Sequence, residues 1–401
     1  MRFAAPPCAA RLFAAPLVAA GLSLIAAPAL AAPCGGSFPG FIEAIKAEAQ
    51  QRGFSRADAD RFFAGVQQDQ RVIRADRAQG VFRMSFTDFS RRLISQGRIS
   101  NGAANAQRHK AIFDRAARDY GVPPGILLAF WAFETDYGAV QGDFNTVNAL
   151  ATLGHDCRRP ELFQPQIHAA MQLWQRGMLD PARTTGAWAG EIGMVQMLPG
   201  DILERGVDGD GDGKVTLKTS VPDAILSGAR MLRDLGWRKG EPWLQEVTVP
   251  ANLDWSKTGL DKQLSAAEWG RMGVVPRHGK LAGNLPASIL LPEGRKGPAF
   301  LVYPNFNVLF EWNKSFVYVT TAAYFGTRLQ GAPVFNAGNP DPQLSEGDMK
   351  ALQQKLQARG HDVGSVDGIL GAMTRPAVQK EQQRLGLPAD AWPTRDLLNR
   401  L

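Results

Sequence analysis

The chain has 401 residues, of which 45% are hydrophobic and 21% charged, a composition typical of a globular protein with two or three domains. Lys and Arg outnumber Asp and Glu by 45 to 38, so the net charge is +7, and it falls to +5 when Arg2 and Arg11 of the first 31 residues are left out. This mild excess favours an anionic polymer such as a cell wall, or a membrane surface. Lys and Arg do not cluster with aromatic residues, so nucleic acid is not expected as a partner.

The first 31 residues predict an export signal. Residues 12–30 carry no charge, and residues 29–31 (Ala-Leu-Ala) offer a small-x-small cleavage site. A retained anchor is the alternative, because the uncharged run is long enough to span a bilayer. We expect cleavage and a periplasmic protein. Pro33 before Cys34 fits poorly with a lipidation signal, so an outer-membrane lipid anchor is not expected.

Two cysteines remain once Cys8 has left with the export signal. Cys34 and Cys157 are two thiols in an oxidising compartment, which predicts one disulfide between the mature N-terminus and the body of the protein. Two unpaired thiols are the alternative. Cys34 has no His or second Cys nearby in the sequence, so a metal-binding role is not expected.

Residues 121–138, GVPPGILLAFWAFETDYG, predict a buried helix. Pro123 and Pro124 suit its first turn, where a missing N–H costs nothing, and residues 126–133 are apolar on every side. Glu134 then arrives near the end of the helix. Poor solvation there would raise the pKa of its carboxyl group and keep it protonated for general-acid work. Taken alone, the stretch is more typical of a core helix whose last Glu emerges into solvent, and the rest of the chain has to favour the catalytic interpretation.

Residues 186–200 are rich in Gly and Ala and lead into a short apolar turn. Small residues let backbone lie close to a ligand or to another helix. Gln196 is the uncharged side chain in this turn that can both donate and accept hydrogen bonds. The sequence leaves a binding role and tight helix packing equally open.

Residues 208–219 match an EF-hand-type Ca²⁺ loop, with carboxylates at positions one, three and five and Gly213 at position six. Thr219 stands at position twelve, where a bidentate Glu is usual. The expected ligands are Asp208, Asp210, Asp212, the backbone carbonyl of Lys214, and Asp223 in place of the missing Glu. The ion would be structural, and no cofactor is expected for catalysis. A solvated acidic turn is the alternative.

The remaining segments divide by composition. Residues 240–300 are rich in Pro, Gly and Trp and predict short strands and loops. Residues 305–318 place aromatic side chains beside Asn, as on a sugar-binding surface or in a core. Residues 331–343 read as a linker. Residues 344–401 predict three short helices without a nucleophile–base pair, which favours a binding module.

Two families share these motifs. Residues 35–330 resemble the B-type membrane-bound lytic murein transglycosylases, a lysozyme-like family, and residues 344–401 resemble the peptidoglycan-binding domain of three short helices. The matches, in the family's order, are residues 133–138, 148–153, 188–196, Pro199, the loop at Asp208, 236–237, 305–306 and 313–318, and in the C-terminal part 367–368, Gly371, Thr374, Gln382 and 386–388. The resemblance implies a mainly α (α+β) chain. It further implies a lysozyme-like catalytic domain with a small β-containing subdomain over residues 32–330, and a three-helix domain after the linker.

The resemblance also implies roles for single residues. Glu134 matches the catalytic acid/base. The residues expected to bind substrate are Gln196, Trp312, Asn313, Tyr318 and Tyr137. Three positions depart from the family: Ala187 stands where a Ser near the catalytic Glu is usual, Trp312 replaces a Tyr, and Gly200 replaces a Ser. Loss of the Ser at Ala187 removes a hydrogen bond that could reach Glu134.

The implied reaction cleaves the β-1,4 bond between N-acetylmuramic acid and N-acetylglucosamine and closes a 1,6-anhydro ring, with Glu134 as the single acid and base. A lysozyme-type hydrolase would instead need a second carboxylate about 5 to 9 Å away. Asp136 lies on another side of the helix, whereas Asp143, Asp156 and Glu191 stay open as that second group. A non-catalytic wall-binding scaffold is the third interpretation. The expected partners are peptidoglycan glycan strands and other cell-wall enzymes, with the protein a monomer.

Overall fold

The computed structural model describes residues 32–78 and 83–401, so the predicted export signal lies outside the described residues. None of the helices in these two ranges is long and apolar enough to cross a membrane. The helices of the N-terminal unit (residues 32–330) are α1 (Phe38–Gln51), α2 (Arg56–Phe62), α3 (Gln70–Arg77), α4 (Phe86–Leu93), α5 (Gln96–Arg108), α6 (Lys110–Asp119), α7 (Pro124–Thr135), α8 (Thr146–His155), α9 (Pro160–Gln175), α10 (Pro199–Arg205), α11 (Val221–Asp234), α12 (Ala266–Arg271), α13 (Pro304–Trp312) and α14 (Phe316–Leu329).

Helix α7 is the predicted apolar helix, and it is buried because other helices surround it. It begins at Pro124, after an extended Pro123. A Cβ atom on Gly125 would lie 2.5 Å from the carbonyl oxygen of Gly326, so only glycine allows α7 to approach α14 this closely. Further along, the rings of Phe133 and Phe325 stack with centroids 5.1 Å apart. The packing of α7 on α14 therefore fixes where the end of α7 lies.

The end of α7 is held by its own last residue. Asp136 and Tyr137 adopt left-handed backbone conformations, with φ of 50° and 60°, which stop the helix after Thr135. The Thr135 hydroxyl donates to the carbonyl of Met194 at 2.7 Å and accepts from the N–H of Gly138 at 3.0 Å. These bonds tie the end of α7 to the Gly- and Ala-rich turn at residues 186–200.

A small antiparallel sheet forms the β-containing subdomain. Its strands are β3 (Leu244–Thr248), β4 (Leu264–Ser265), β5 (Val275–Pro276), β6 (Pro286–Leu290) and β7 (Phe300–Val302), in the order β4-β6-β7-β3-β5. Leu301 of β7 pairs with Ile289 on one side and with Gln245 on the other. The sheet has a separate core around Trp269 and Tyr303. A second pair, β1 (Phe144–Asn145) and β2 (Thr185–Gly186), joins the start of α8 to the turn at residues 186–200.

Cys34 and Cys157 form a disulfide, with Cα atoms 5.2 Å apart and a sequence separation of 123. The N–H of Gly35 donates to the carbonyl of His155 at 2.8 Å, so the backbone beside the disulfide is also bonded to the end of α8. The N-terminal segment is thereby attached to the helical body.

The C-terminal unit (residues 344–401) contains α15 (Glu346–Ala358), α16 (Thr374–Arg384) and α17 (Arg395–Arg400) around a core that includes Leu352 and Val378. The predicted linker has no helix or strand, yet it is packed against the N-terminal unit. Phe335 is buried with its ring centroid 4.9 Å from that of Tyr324, and the N–H of Asn336 donates to Glu246 at 2.7 Å. The C-terminal unit is thus held close to the N-terminal unit.

Candidate active site

A groove of about 1230 Å³ lies between the N-terminal and the C-terminal unit. Glu134 reaches it from the end of α7. Its other walls include residues 187–189 of the Gly- and Ala-rich turn, residues 312–317 after α13, and residues 363–365 and 369–375 of the C-terminal unit. The sequence elements that resemble a catalytic domain therefore meet in one place, and the C-terminal unit closes one side.

Two side chains donate hydrogen bonds to the carboxyl group of Glu134. Trp312 Nε1 lies 3.1 Å from Glu134 Oε1, and the Tyr318 hydroxyl lies 2.5 Å from the same oxygen. Both donors come from the junction of α13 and α14, almost two hundred residues further along the chain. Oε1 is therefore fixed in place as a hydrogen-bond acceptor.

The pKa of Glu134 is raised from its usual 4.5 to about 7. Desolvation is the main cause, because apolar residues surround the end of α7 and the charged form loses water. The hydrogen bonds from Tyr318 and Trp312 act in the opposite direction and lower the pKa, while the charge of Glu191 raises it further. A carboxyl group with this pKa is poised to give and take a proton near neutral pH.

Stacking and a capped turn position the two donors. The Trp312 ring stacks on Phe130 of α7, with centroids 4.4 Å apart and planes 16° from parallel. After Trp312, Asn313 Oδ1 accepts from the N–H of Ser315 at 2.8 Å, and Ser315 Oγ accepts from the N–H of Tyr318 at 3.4 Å. Ser315 is the N-cap of α14, so the start of this helix sets the position of Tyr318.

Gln196 lines the same groove, in a backbone conformation with φ of 51°. Its Nε2 donates to the carbonyl of Gly193 at 2.7 Å and approaches that of Gln141 at 3.4 Å. The amide plane is therefore fixed by the turn that Thr135 holds against α7. A left-handed conformation in a non-glycine residue is uncommon and is found often at binding sites.

Of the three carboxylates that could complete a hydrolase, Glu191 lies at the groove. Asp143 has a side chain that is 81% exposed and lies 3.6 Å from Arg71, and Asp156 pairs with Arg77 at 3.1 Å, so both are engaged elsewhere. Burial raises the pKa of Glu191, and its Oε2 has no hydrogen-bond partner among the described residues. Burial therefore makes Glu191 harder to ionise than a solvated Glu, which weakens it as a nucleophile.

Two predicted substrate-binding residues have other positions. Tyr137 does not line the groove: its hydroxyl donates to the carbonyl of Arg98 at 2.7 Å, and its ring packs against Trp131. The left-handed turn after α7 directs this side chain toward α5, and a role for Tyr137 in substrate binding stays a prediction. Tyr318 is buried behind Glu134, so it contacts the acid and not the open groove. Trp312 and Asn313 do line the groove.

The sequence did not predict that Trp312 and Tyr318 donate hydrogen bonds to Glu134. The sequence suggested that the Ser absent at Ala187 would leave Glu134 with one hydrogen bond fewer. Ala187 lies at the groove, and Trp312, expected only to bind substrate, supplies a donor to Glu134. The contribution of residues 363–375 to the groove had no signal in the sequence, because it depends on how the two units pack.

The acidic loop is formed as expected at its first three ligand positions. One carboxylate oxygen each of Asp208, Asp210 and Asp212 lies within 4.8 Å of the others. Asp223 is the further side chain expected to bind the ion. It is buried, its Oδ1 accepts from the N–H of Gly209 at 2.8 Å, and its Oδ2 accepts from the N–H of Thr216 at 2.7 Å. Asp223 therefore braces the loop from the start of α11 and stands apart from the converging group.

Profiles of known families match both units. The transglycosylase SLT domain matches residues 37–327, and the peptidoglycan binding domain matches residues 345–401. The membrane-bound lytic murein transglycosylase B of Escherichia coli (strain K12) is 29% identical over 242 residues, which are 59% of this chain and 65% of that protein. The chain thus matches just under two thirds of the length of this curated relative.

Two solved structures are similar over most of their length. SltB3 from Pseudomonas aeruginosa, in complex with NAG-anhNAM-pentapeptide, has a TM-score of 0.83 and 37% identity, covering 91% of this chain and 99% of its own. The Escherichia coli lytic transglycosylase Slt35, in complex with calcium, has a TM-score of 0.64 and 25% identity, covering 75% of this chain and 96% of its own.

Proposed function

This chain belongs to the transglycosylase SLT domain family, and from that premise we propose that it is a peptidoglycan lytic transglycosylase. It cleaves the β-1,4 bond between N-acetylmuramic acid and N-acetylglucosamine and leaves 1,6-anhydromuramoyl ends. The observation that carries the proposal is the state of Glu134, a desolvated carboxyl group with a pKa of about 7 at the floor of a groove between two units. The P. aeruginosa relative bound to NAG-anhNAM-pentapeptide supports the substrate class.

Glu134 acts twice in this reaction. As the neutral acid it gives its proton to the glycosidic oxygen, and the C1–O bond breaks. The carboxylate that forms is stabilised by the donors Trp312 and Tyr318, because hydrogen bonds to a charged acceptor are stronger than those to a neutral one. It then takes the proton of the muramoyl 6-hydroxyl, whose oxygen closes onto C1. Glu134 returns to its starting form, and water is not consumed.

The glycan strand is held by the groove and by the C-terminal unit. Gln196 and Asn313 present amide groups, and the indole of Trp312 offers an apolar face to a sugar ring. The C-terminal unit has the peptidoglycan binding domain fold and would keep the enzyme on its polymeric substrate. The protein works as a monomer in the periplasm after removal of the export signal. The disulfide between Cys34 and Cys157 supports an oxidising compartment.

Hydrolysis by water is the second candidate, and Glu191 is the observation that favours it. This second carboxyl group lines the groove and interacts with the charge of Glu134. A retaining hydrolase would need it ionised as a nucleophile, and an inverting one would need it ionised as a base. The raised pKa of Glu191 opposes both roles, so we place hydrolysis second.

The products of sacculus digestion separate these reactions. We expect the purified protein to release muropeptides that end in anhydromuramoyl groups, each lighter by one water than a hydrolytic end, as measured by mass spectrometry. Reducing ends that carry ¹⁸O from labelled water would establish a hydrolase instead. Binding to sacculi without release would establish the non-catalytic scaffold.

We propose further that residues 208–219 bind a structural Ca²⁺ ion. Three carboxylates converge there, and like charges this close repel one another unless a cation joins them. Asp208, Asp210 and Asp212 would supply side-chain oxygens and Lys214 its backbone carbonyl, with Asp223 bracing the loop through Gly209 and Thr216. The Slt35 structure in complex with calcium supports the choice of ion.

Calcium should raise the melting temperature of the protein. A ligand at 100 times its Kd stabilises the folded state by about 2.7 kcal/mol, which corresponds to a shift of several degrees. Scanning calorimetry with Ca²⁺, with Mg²⁺ and with EDTA measures it. Asp208→Asn together with Asp212→Asn should abolish the shift, whereas Asp396→Asn, an exposed carboxylate on α17, should retain it. If millimolar Ca²⁺ leaves the melting temperature of the wild-type protein unchanged, the proposed calcium site at residues 208–219 is wrong.

A further inference from the structure

Arg375, in the first turn of α16, reaches from the C-terminal unit into the N-terminal unit. Its Nη2 donates to the carbonyl of Pro292 at 2.6 Å and its Nη1 to that of Leu291 at 3.2 Å. The carbon at the centre of the guanidinium lies 4.0 Å from the centroid of the Phe316 ring. Arg375 thus makes two directed hydrogen bonds and a cation–π contact across the boundary between the units.

Phe316 is the first residue of α14 and directly follows its N-cap, Ser315. It is buried, and it lies two residues before Tyr318, the donor at 2.5 Å from Glu134. The same junction begins with Trp312, the second donor to Glu134. Arg375 therefore touches the segment that fixes the catalytic acid, although it belongs to the other unit.

The carbonyls that bind Arg375 are themselves fixed. Glu293 directly follows Pro292 and is buried. Its carboxylate accepts hydrogen bonds from the N–H of Thr87 at 3.2 Å and from the hydroxyl of Thr87 at 2.5 Å. On the other side, Arg295 pairs with Asp390 of the C-terminal unit at 3.1 Å. A Cβ atom on Gly294 would lie 2.6 Å from Trp392 Cβ, so the two units meet without space for a side chain there.

Two nearby carboxylates stabilise the charged form of the Arg375 guanidinium. Desolvation lowers the pKa of Arg375, and the charges of Glu293 and Asp390 oppose that effect. A neutral side chain at this position would remove the positive charge that interacts with Glu293, while Asp390 would keep its ion pair with Arg295. It would also lose the hydrogen bonds to the two carbonyls and the cation–π contact with Phe316. One face of the Phe316 ring would then lose its contact with the guanidinium.

We propose that Arg375 is a positioning residue for the catalytic segment 312–318, through which the docked C-terminal unit holds Trp312 and Tyr318 against Glu134. The inference rests on the proposed function of Glu134. It assigns to the C-terminal unit a part in turnover beyond holding the polymer. Its consequence is that turnover of a glycan too short to need a separate wall-binding module still depends on Arg375.

The test uses the full chain and a soluble peptidoglycan tetrasaccharide. Arg375→Gln should lower kcat by about three- to tenfold, the range that follows from losing one cation–π contact and its alignment, with KM changed less than twofold. The matched control is Arg384→Gln. It removes a half-exposed arginine of the same helix, one that pairs with Glu381 inside the C-terminal unit, and it should retain wild-type kcat.

A merely adhesive role for Arg375 would raise KM and leave kcat unchanged, and that result would overturn the inference. Arg375→Lys should recover part of the lost kcat, because its ammonium group can still donate to one carbonyl and lie over the ring. Phe316→Leu should lower kcat as well, and combining it with Arg375→Gln should cost less than the product of the two effects. Full multiplicativity would contradict the proposed route through Phe316.

The outcomes also separate this inference from the proposed function. Wild-type protein that releases no anhydromuramoyl products would refute the function. Wild-type release together with normal kcat for Arg375→Gln, Arg375→Lys and Phe316→Leu would refute only the positioning role. Melting temperatures of the variants show whether each is folded, and Arg375→Lys, which keeps the charge, supplies the kinetic comparison if the Gln variant is unstable.

Discussion

Glu134→Gln should lower kcat on sacculi and on short glycans by about 10²- to 10⁴-fold, the range that general acid–base catalysis contributes. The amide matches the carboxyl group in shape and keeps an acceptor for Trp312 and Tyr318, but it has no acidic proton to give. The measurement is the rate of product release with enzyme in excess. The matched control is Glu191→Gln, which should lose less than about tenfold if one carboxyl group performs both steps.

Equal losses for the Gln variants at Glu134 and Glu191 would mean that both carboxyl groups act, and a hydrolase would then be the better description. Wild-type rates for Glu134→Gln would show that Glu134 is not the acid.

The Glu134→Gln variant should also be more stable than the wild type at alkaline pH. A carboxyl group whose pKa is raised contributes stability that is complete below its unfolded value of 4.5 and is lost as the pH rises through about 7. Above pH 7 the gain in unfolding free energy has an upper limit of about 3 kcal/mol.

Tyr318→Phe should lower kcat by about 10- to 100-fold and move the pH dependence of the reaction. The Tyr318 hydroxyl donates to Glu134 Oε1 at 2.5 Å, and a hydrogen bond to a charged group is worth about 1.5–3 kcal/mol. The bond stabilises the carboxylate formed by the first proton transfer, so its loss slows that step. It also lowers the pKa of Glu134, so without it the pKa rises above its present value of about 7.

Tyr324→Phe is the matched control for Tyr318→Phe. It removes a buried hydroxyl from the same helix, one that accepts from the N–H of Phe335 at 3.2 Å. The control should lose stability with little change in kcat. A Tyr318→Phe enzyme with wild-type kcat and an unmoved pH profile would show that Trp312 alone suffices to hold Glu134.

Much of the architecture follows from local patterns. The apolar run before Glu134 predicted a helix that is buried on every side, and residues 125–132 of α7 are buried. The cause of the raised pKa of Glu134 was therefore already present in the sequence. The small β-containing subdomain and the three helices of the C-terminal unit were predicted from composition and resemblance. The spacing of Asp208, Asp210 and Asp212 predicted their convergence.

Sequence patterns do not predict contacts between residues that are far apart along the chain. The packing of α7 on α14 brings Trp312 and Tyr318 to Glu134, and nothing in their local sequence announces this partner. The left-handed turn after α7 likewise sets the direction of Tyr137, whose hydroxyl donates to the carbonyl of Arg98. The Pro- and Gly-rich composition of residues 331–343 indicated a linker, but composition does not say whether such a segment is free or packed, and here it is packed.

The central claim is that Glu134 works as a neutral acid with a pKa near 7. The most direct test is the pH dependence of kcat/KM for the wild-type enzyme on a soluble glycan, since this quantity reports ionisations of the free enzyme. We expect kcat/KM to fall as the pH rises through about 7, with the same limb displaced upward in Tyr318→Phe. A wild-type kcat/KM that stays constant from pH 5 to about pH 9 would contradict the account.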